Sequence, residues 1–395
     1  MILNIIIVFK KYQLQLSKII TYNTDNMENI NKIESDPNKN LDVSIQDESL
    51  AQTVCGLIES KNLGKLLHNE HILTDQTSLL KKPSQSNEKE IFNKSLTPET
   101  LGWIRHHGFQ NINNSKITNI DTAISELMLY KQFGGDSIVD VTSVGLGRDP
   151  IGLEKISKST NINIIMGASY MKPPIKSKQI KFSEESISDQ IIKEINSGTD
   201  NTGIKAGIIG EIICTCPINS KNNKILVASG NAQKITGAPI TIHPAENVNS
   251  PQEIIKVLEH VGTNLNKVIV SNLDKTIFDK SQFVEIANSG CYIGLDLFGL
   301  EKSFTSNYPG ITIPNDGRRM DIIEHLINNG FEDKILISQN ISTQDRLLSF
   351  GGHGYFYIIN HLIPRMTKRG FTKKIIEKLI QTNPQRALSF QNIIG

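Results

Sequence analysis

The 395-residue chain reads as an α/β protein, a single (β/α)8 TIM barrel behind an N-terminal tail. Two observations carry that reading. Short apolar runs recur between helical segments, as buried parallel strands do. Each run also ends on a polar residue. Glu211 closes Ala206–Glu211, His243 closes Pro239–His243, Asn272 follows Val268–Ser271, and Asn340 follows Ile335–Gln339. Asn69 and His71 alternate in His68–His71. The C-terminal end of a strand is where a (β/α)8 barrel keeps its active site.

Residues 1–50 are expected to be a disordered or non-homologous tail, and residues 51–395 the barrel. Ile2–Phe9 is apolar, but Lys10 and Lys11 follow it, the reverse of a secretory signal. The stretch is also far shorter than the ~20 residues that span a bilayer. Asn23–Asp47 is rich in Asn, Asp, Ser and Lys, a composition that does not pack, and Met27 is an alternative start.

Lys65–Glu70 is the first strand, followed by a polar insertion over Asp75–Lys116. Asp121 reads as a helix N-cap, Ile124, Leu127 and Met128 as an apolar stripe, and Gly134-Gly135 as the stop. Strands two and three are Ser137–Val141 and Asn163–Ala168, separated by a helix over Ile151–Lys158. Helices Ser186–Asn196 and Lys224–Gln233 precede the fourth and fifth strands, and Pro251 opens the next helix in its first turn. Lys267–Ser271, Tyr292–Asp296 and Lys334–Gln339 complete the strands, interleaved with helices Ser281–Asn288 and Arg318–Asn328, and two helices end the chain. A doubly wound sheet is disfavoured because no Gly-rich phosphate turn follows the first strand.

Forty-two Lys and Arg balance 40 Asp and Glu, so no strong field draws nucleic acid or a membrane surface. A small molecule is the expected partner, and the oligomeric state stays open. Cys55, Cys214, Cys216 and Cys291 form no disulfide ladder or zinc knuckle, which suits a reducing cytoplasm. Cys214-x-Cys216 reads as two loop thiols, ahead of a minor redox alternative.

Six motifs, in order, are Ser137–Thr142, Gly147-Arg148-Asp149, Gly203–Ile212, Ile242-His243-Pro244, Leu295–Gly299 and Gly351–Tyr355. Together they resemble the phosphotriesterase family of the amidohydrolase superfamily over Gln52–Phe390. The resemblance implies a metal-dependent hydrolase with up to two zinc-like divalent cations, whose bound hydroxide attacks a small ester or amide, an N-acyl amide for the animal members. The ligand positions it implies are Asn69 and His71, the bridging Glu211, His243, Asn272 and Asn340. The last also stands where the family keeps its catalytic Asp base. His353 and Tyr170 are the implied substrate-pocket residues, although His353 reads equally well as part of a turn.

The chain departs from the family at Asn69, Asn272 and Asn340, always to Asn. A neutral amide oxygen is a weak zinc ligand, and an amide cannot accept a proton at neutral pH. Gln339 likewise replaces the His expected beside the eighth-strand Asp. His68 stands where the family usually has Thr, and alternation points it away from the interior. A bulge at Asn69-Glu70 would instead turn it inward. The alternative function is therefore a pseudoenzyme, a degenerate barrel that binds a ligand or partner without turnover. Arg148 and Asp149 are expected to pair with each other. His106, His107 and His325 are expected at the surface.

Overall fold

The computed structural model describes residues 49–80, 86–107, 110–169, 183–300, 302, 310 and 312–390. The tail expected over 1–50 falls almost wholly outside them, as does Tyr170. Strands β1 (Leu50–Thr53) and β2 (Gly56–Glu59) form an antiparallel hairpin that the sequence reading did not anticipate. Strand β3 (Leu66–Glu70) opens the barrel. Two short strands, β4 (Thr74–Asp75) and β5 (Lys116–Ile117), pair antiparallel and so close the base of the polar insertion. That insertion carries helices Ser86–Phe92 and Pro98–His107.

The barrel continues with β6 (Ser137–Asp140), β7 (Asn163–Ala168), β8 (Ile208–Ile213), β9 (Ile240–His243), β10 (Val268–Val270), β11 (Tyr292–Leu295) and β12 (Ile335–Ile337). These strands and β3 make one eight-stranded sheet in the order β12-β11-β10-β9-β8-β7-β6-β3. Every ladder within it is parallel. The alternation of side chains sorts the core into two layers. Leu66, Val139, Ile165, Ile208, Ile269, Tyr292 and Leu336 pack together inside the barrel. Their neighbours Leu67, Ile138, Ile164, Ile209, Val268, Ile293 and Ile335 pack outward against the helices.

The seam between β12 and β3 closes through individual bonds. His71 N donates to Ile341 O and Asn340 N to Asn69 O, at 3.0 and 3.1 Å. The buried Glu70 carboxylate clasps the same edge, accepting from Ser338 Oγ at 2.7 Å, Gln339 N at 2.8 Å and Ile341 N at 2.6 Å.

Helix starts follow short polar caps. Asp149 accepts from Gly152 N ahead of Pro150, Asn219 from Asn222 N, and Asn315 from Arg318 N. The helix after β5 is capped by Asn119, which accepts from Thr122 N, and not by Asp121 as expected. It begins at Ile120, so Asp121 falls in its first turn and faces the positive end of the helix dipole. Arg148 does not pair with Asp149. It forms a buried two-pronged bond with Glu194, at 2.6 and 3.0 Å, and reaches Asp200 at 3.1 Å. Asp149 is already committed as a cap, which leaves the guanidinium free to tie the loop after β6 to the helix before β8.

Candidate functional site

The first and fourth barrel strands present the site through the same device. In β3 the pairing with β6 shifts register between Leu67 and Glu70. Leu66 is interior, so alternation carries His68 inward, and the shift then brings Asn69 inward as well. This corrects the expectation that His68 faces away. In β8 the pairing with β9 shifts between Ile209 and Ile212. Gly210 sits at φ +126° in that shift, where an added Cβ would collide with Thr241 O. Glu211 follows at the mouth.

Glu211 Oε1 lies 2.9 Å from His243 Nδ1. Burial opposes its charge, but His243, the hydrogen bond to it, His71 and Lys275 together hold the Glu211 carboxyl below its ordinary value. An ionised carboxylate only accepts, so Nδ1 of His243 is the donor in that bond and Nε2 is the ring nitrogen left outside it. His71 Nδ1 lies 2.9 Å from Thr142 Oγ1, and Tyr355 donates its hydroxyl to His71 O at 3.0 Å. Asp140 braces the same turn by accepting from Ile72 N at 2.7 Å and Thr142 N at 2.9 Å.

The three Asn positions meet around Asp296, at the end of β11. Asp296 Oδ2 accepts from Asn69 Nδ2 at 2.9 Å and from Asn272 N at 2.6 Å. His68 Nε2 stands 2.7 Å from Asp296 Oδ1, an ion-pair distance without hydrogen-bond alignment. Asn340 Nδ2 donates to Asn272 Oδ1 at 2.7 Å. Behind this cluster Asp274 accepts from Asp296 N and Leu297 N and pairs with Arg319 Nε at 2.6 Å. Arg319 in turn pairs with Asp316, which accepts from the Tyr357 hydroxyl. Every charged group of that support is fully buried, so loss of any one strands a partner.

Comparison with known proteins places this architecture. The sequence profile of the Phosphotriesterase family matches residues 49–388. This chain belongs to the phosphotriesterase family. It is 37% identical to a phosphotriesterase-related protein of Nematostella vectensis, over 87% of this chain and 99% of that one. It is 36% identical to the N-acetyltaurine hydrolase of Dictyostelium discoideum, over 86% of this chain and 97% of that one. Among solved structures, a resiniferatoxin-binding protein from Rhodobacter sphaeroides superposes with a TM-score of 0.82 at 29% identity, covering 86% of this chain and 95% of that one.

Family membership implies a binuclear metal centre, and the residues of this chain do not fit one. Of the six inherited positions only His71, Glu211 and His243 carry a strong metal donor. The three amides are turned to protein groups: Asn69 to Asp296, and Asn340 to Asn272. Among the described residues no group of three or more His, Cys, Asp or Glu side chains is arranged to hold a metal ion. The Glu211–His243 pair places a carboxylate and an imidazole in contact at the mouth.

His353, expected at the pocket mouth, lines a cavity of about 490 Å³ together with Arg105, Lys302, Asp345 and Arg346. His106 is exposed, as expected, and lines the same cavity, edge-on against His107. The sequence reading missed Arg105, Lys302 and Arg346, because their grouping depends on how the insertion folds over the end of β12. Cys214 is a buried thiol that burial pushes up to about 12, and Cys216 Sγ lies 3.6 Å from Glu253 Oε1. Neither provides the reactive thiolate a redox role needs. No described helix is long and apolar enough to cross a membrane.

Proposed function

We propose that this family member hydrolyses a small N-acyl amide, slowly, with His243 as general base and Glu211 as its orienting carboxylate. The observation that carries the reading is the 2.9 Å contact between Glu211 Oε1 and His243 Nδ1, which leaves Nε2 of His243 available to a water. In the reaction, that water gives a proton to Nε2 and its oxygen bonds to the acyl carbon. The carbon–nitrogen bond then breaks, and the same proton passes to the departing amine. Relatives named N-acetyltaurine hydrolase, matched over nearly their full length, support an amide substrate. The four free thiols support a reducing, cytoplasmic setting.

The test is the initial rate of amine release from N-acetyltaurine by the purified full chain. His243→Ala and Glu211→Gln should each lower it by about 10²–10⁴-fold, the range a general base contributes. A wild type with no measurable release, or variants as fast as wild type, would overturn the reading.

A second reading, ligand binding without turnover, is favoured by one observation. Asn340, at the position of the family's catalytic Asp, is bonded to Asn272 and cannot take a proton. Stabilisation of the fold by N-acetyltaurine with no product formed would select it.

A further inference from the structure

The cavity beside the barrel mouth is short of negative charge. Arg105 reaches it from helix Pro98–His107, Lys302 from the stretch after β11, and Arg346 from the turn after β12. Asp345 is the one carboxylate among the described residues that line it. The two guanidinium groups spend some of their donors on backbone carbonyls. Arg105 Nη2 donates to Gly351 O, and Arg346 Nη2 donates to Phe298 O at 3.1 Å and Gln339 O at 3.2 Å. Each guanidinium keeps further N–H groups for a ligand.

The groups act on one another as a cluster of like charge does. Burial lowers the Lys302 ammonium, Asp345 opposes that, and Arg346 and Arg105 lower it further. His353 is lowered by burial first, then by Arg346, His361 and Arg105. An anion entering the cavity relieves this repulsion, and guanidinium groups suit the planar face of a carboxylate or the oxygens of a sulfonate. The cavity also adjoins the mouth. Arg346 holds Gln339 O, one residue before Asn340, and Phe298 O, two residues after Asp296.

We propose that Arg105, Lys302 and Arg346 seat an anionic group of the ligand, a sulfonate or carboxylate. This inference rests on the N-acyl amide reading above and adds the charge of the substrate to it. A sulfonate-bearing amide and its carboxylate analogue should both bind. An uncharged amide of the same length should lack the anchor.

The experiment is calorimetric titration of the full chain with N-acetyltaurine, N-acetyl-β-alanine, uncharged N-acetylethanolamine, and sulfate alone. The charged amides should bind about tenfold tighter than the uncharged one, or better. That ratio should fall about tenfold in Arg105→Met and in Lys302→Met, and should shrink as salt is raised. Arg105 is exposed and Lys302 lies in a loop, so both variants should keep the wild-type circular dichroism. Equal affinity for charged and uncharged amides in the wild type would overturn the inference and leave the amide reading standing. Sulfate binding that is lost in both variants, with no N-acyl compound bound, would sink the amide reading and keep the anion site. Sulfate and charged amides bound equally by wild type and both variants would also overturn the inference.

Discussion

At the scale of single residues, two of the three Asn substitutions sit on unusual backbone. Asn272 and Asn340 adopt φ of +55° and +47°, the left-handed region that most side chains avoid. His, Asp and Asn are the non-glycine residues that tolerate it best. Asn suits this backbone as well as the His or Asp that the family resemblance expects there. Asn340→Ala should cost about 1–2 kcal/mol, because alanine pays the full left-handed penalty. Asn340→Gly loses the same bond to Asn272 but carries no left-handed steric penalty, and should cost distinctly less. Chemical denaturation of the two variants decides the matter. Equal losses would mean that the side-chain bond, and not the φ value, is what position 340 contributes.

At the scale of elements, the register shifts in β3 and β8 make the mouth, and the Glu70 clasp keeps it closed. Strand order and strand ends were legible from apolar runs and their polar terminators. The shift in β8 was not, because alternation assumes a regular pleat, and the one in β3 was read only as the alternative, a bulge at Asn69-Glu70 that turns His68 inward. The pairing of Arg148 with Glu194 was hidden for a different reason. It spans 46 residues of sequence, and only the folded loop brings the two together. The clasp itself carries a testable signature. Burial pushes the Glu70 carboxyl up to about 7 from 4.5, against the hydrogen bonds from Ile341, Ser338 and Gln339 that lower it. Between those values the folded chain holds a proton that the unfolded chain has released. Stability therefore falls as pH rises through that window, by up to about 1.4 kcal/mol per pH unit. Glu70→Gln removes the titration, so its stability should vary less between pH 5 and 7 than that of the wild type. Parallel stability–pH curves for the two proteins would show that Glu70 does not titrate there.

At the scale of the whole molecule, the family's barrel is present while three of the six expected ligand positions carry Asn. Fold and strand ends survive in the apolar pattern, which many small contacts determine. Of the six positions the family resemblance marks as ligands, the three that carry Asn are tied into an internal network around Asp296. As isolated, the protein should hold fewer than two equivalents of divalent metal, measurable by elemental analysis. Two equivalents retained through dialysis against a chelator would show that the ligands lie elsewhere. Rebuilding the site asks for more than the three exchanged positions. Asn69→His, Asn272→His and Asn340→Asp restore the family's residues, but His68 still presses against Asp296 at 2.7 Å, where a new histidine at 69 must turn. Adding His68→Thr should therefore raise metal uptake beyond that of the triple variant and bring it toward two equivalents. Amide hydrolysis should rise with it. Asn340→Asp alone should change kcat/KM by less than about tenfold, since the family's base would act on a hydroxide held by two metal ions and the single change restores no metal ligand at positions 69 and 272. Measured kcat/KM for wild type, single, triple and quadruple variants with added Zn²⁺ tests the non-additivity. A wild type already equal to the quadruple variant would mean that Asn suffices at these positions and that the network around Asp296 is no obstacle to the reaction.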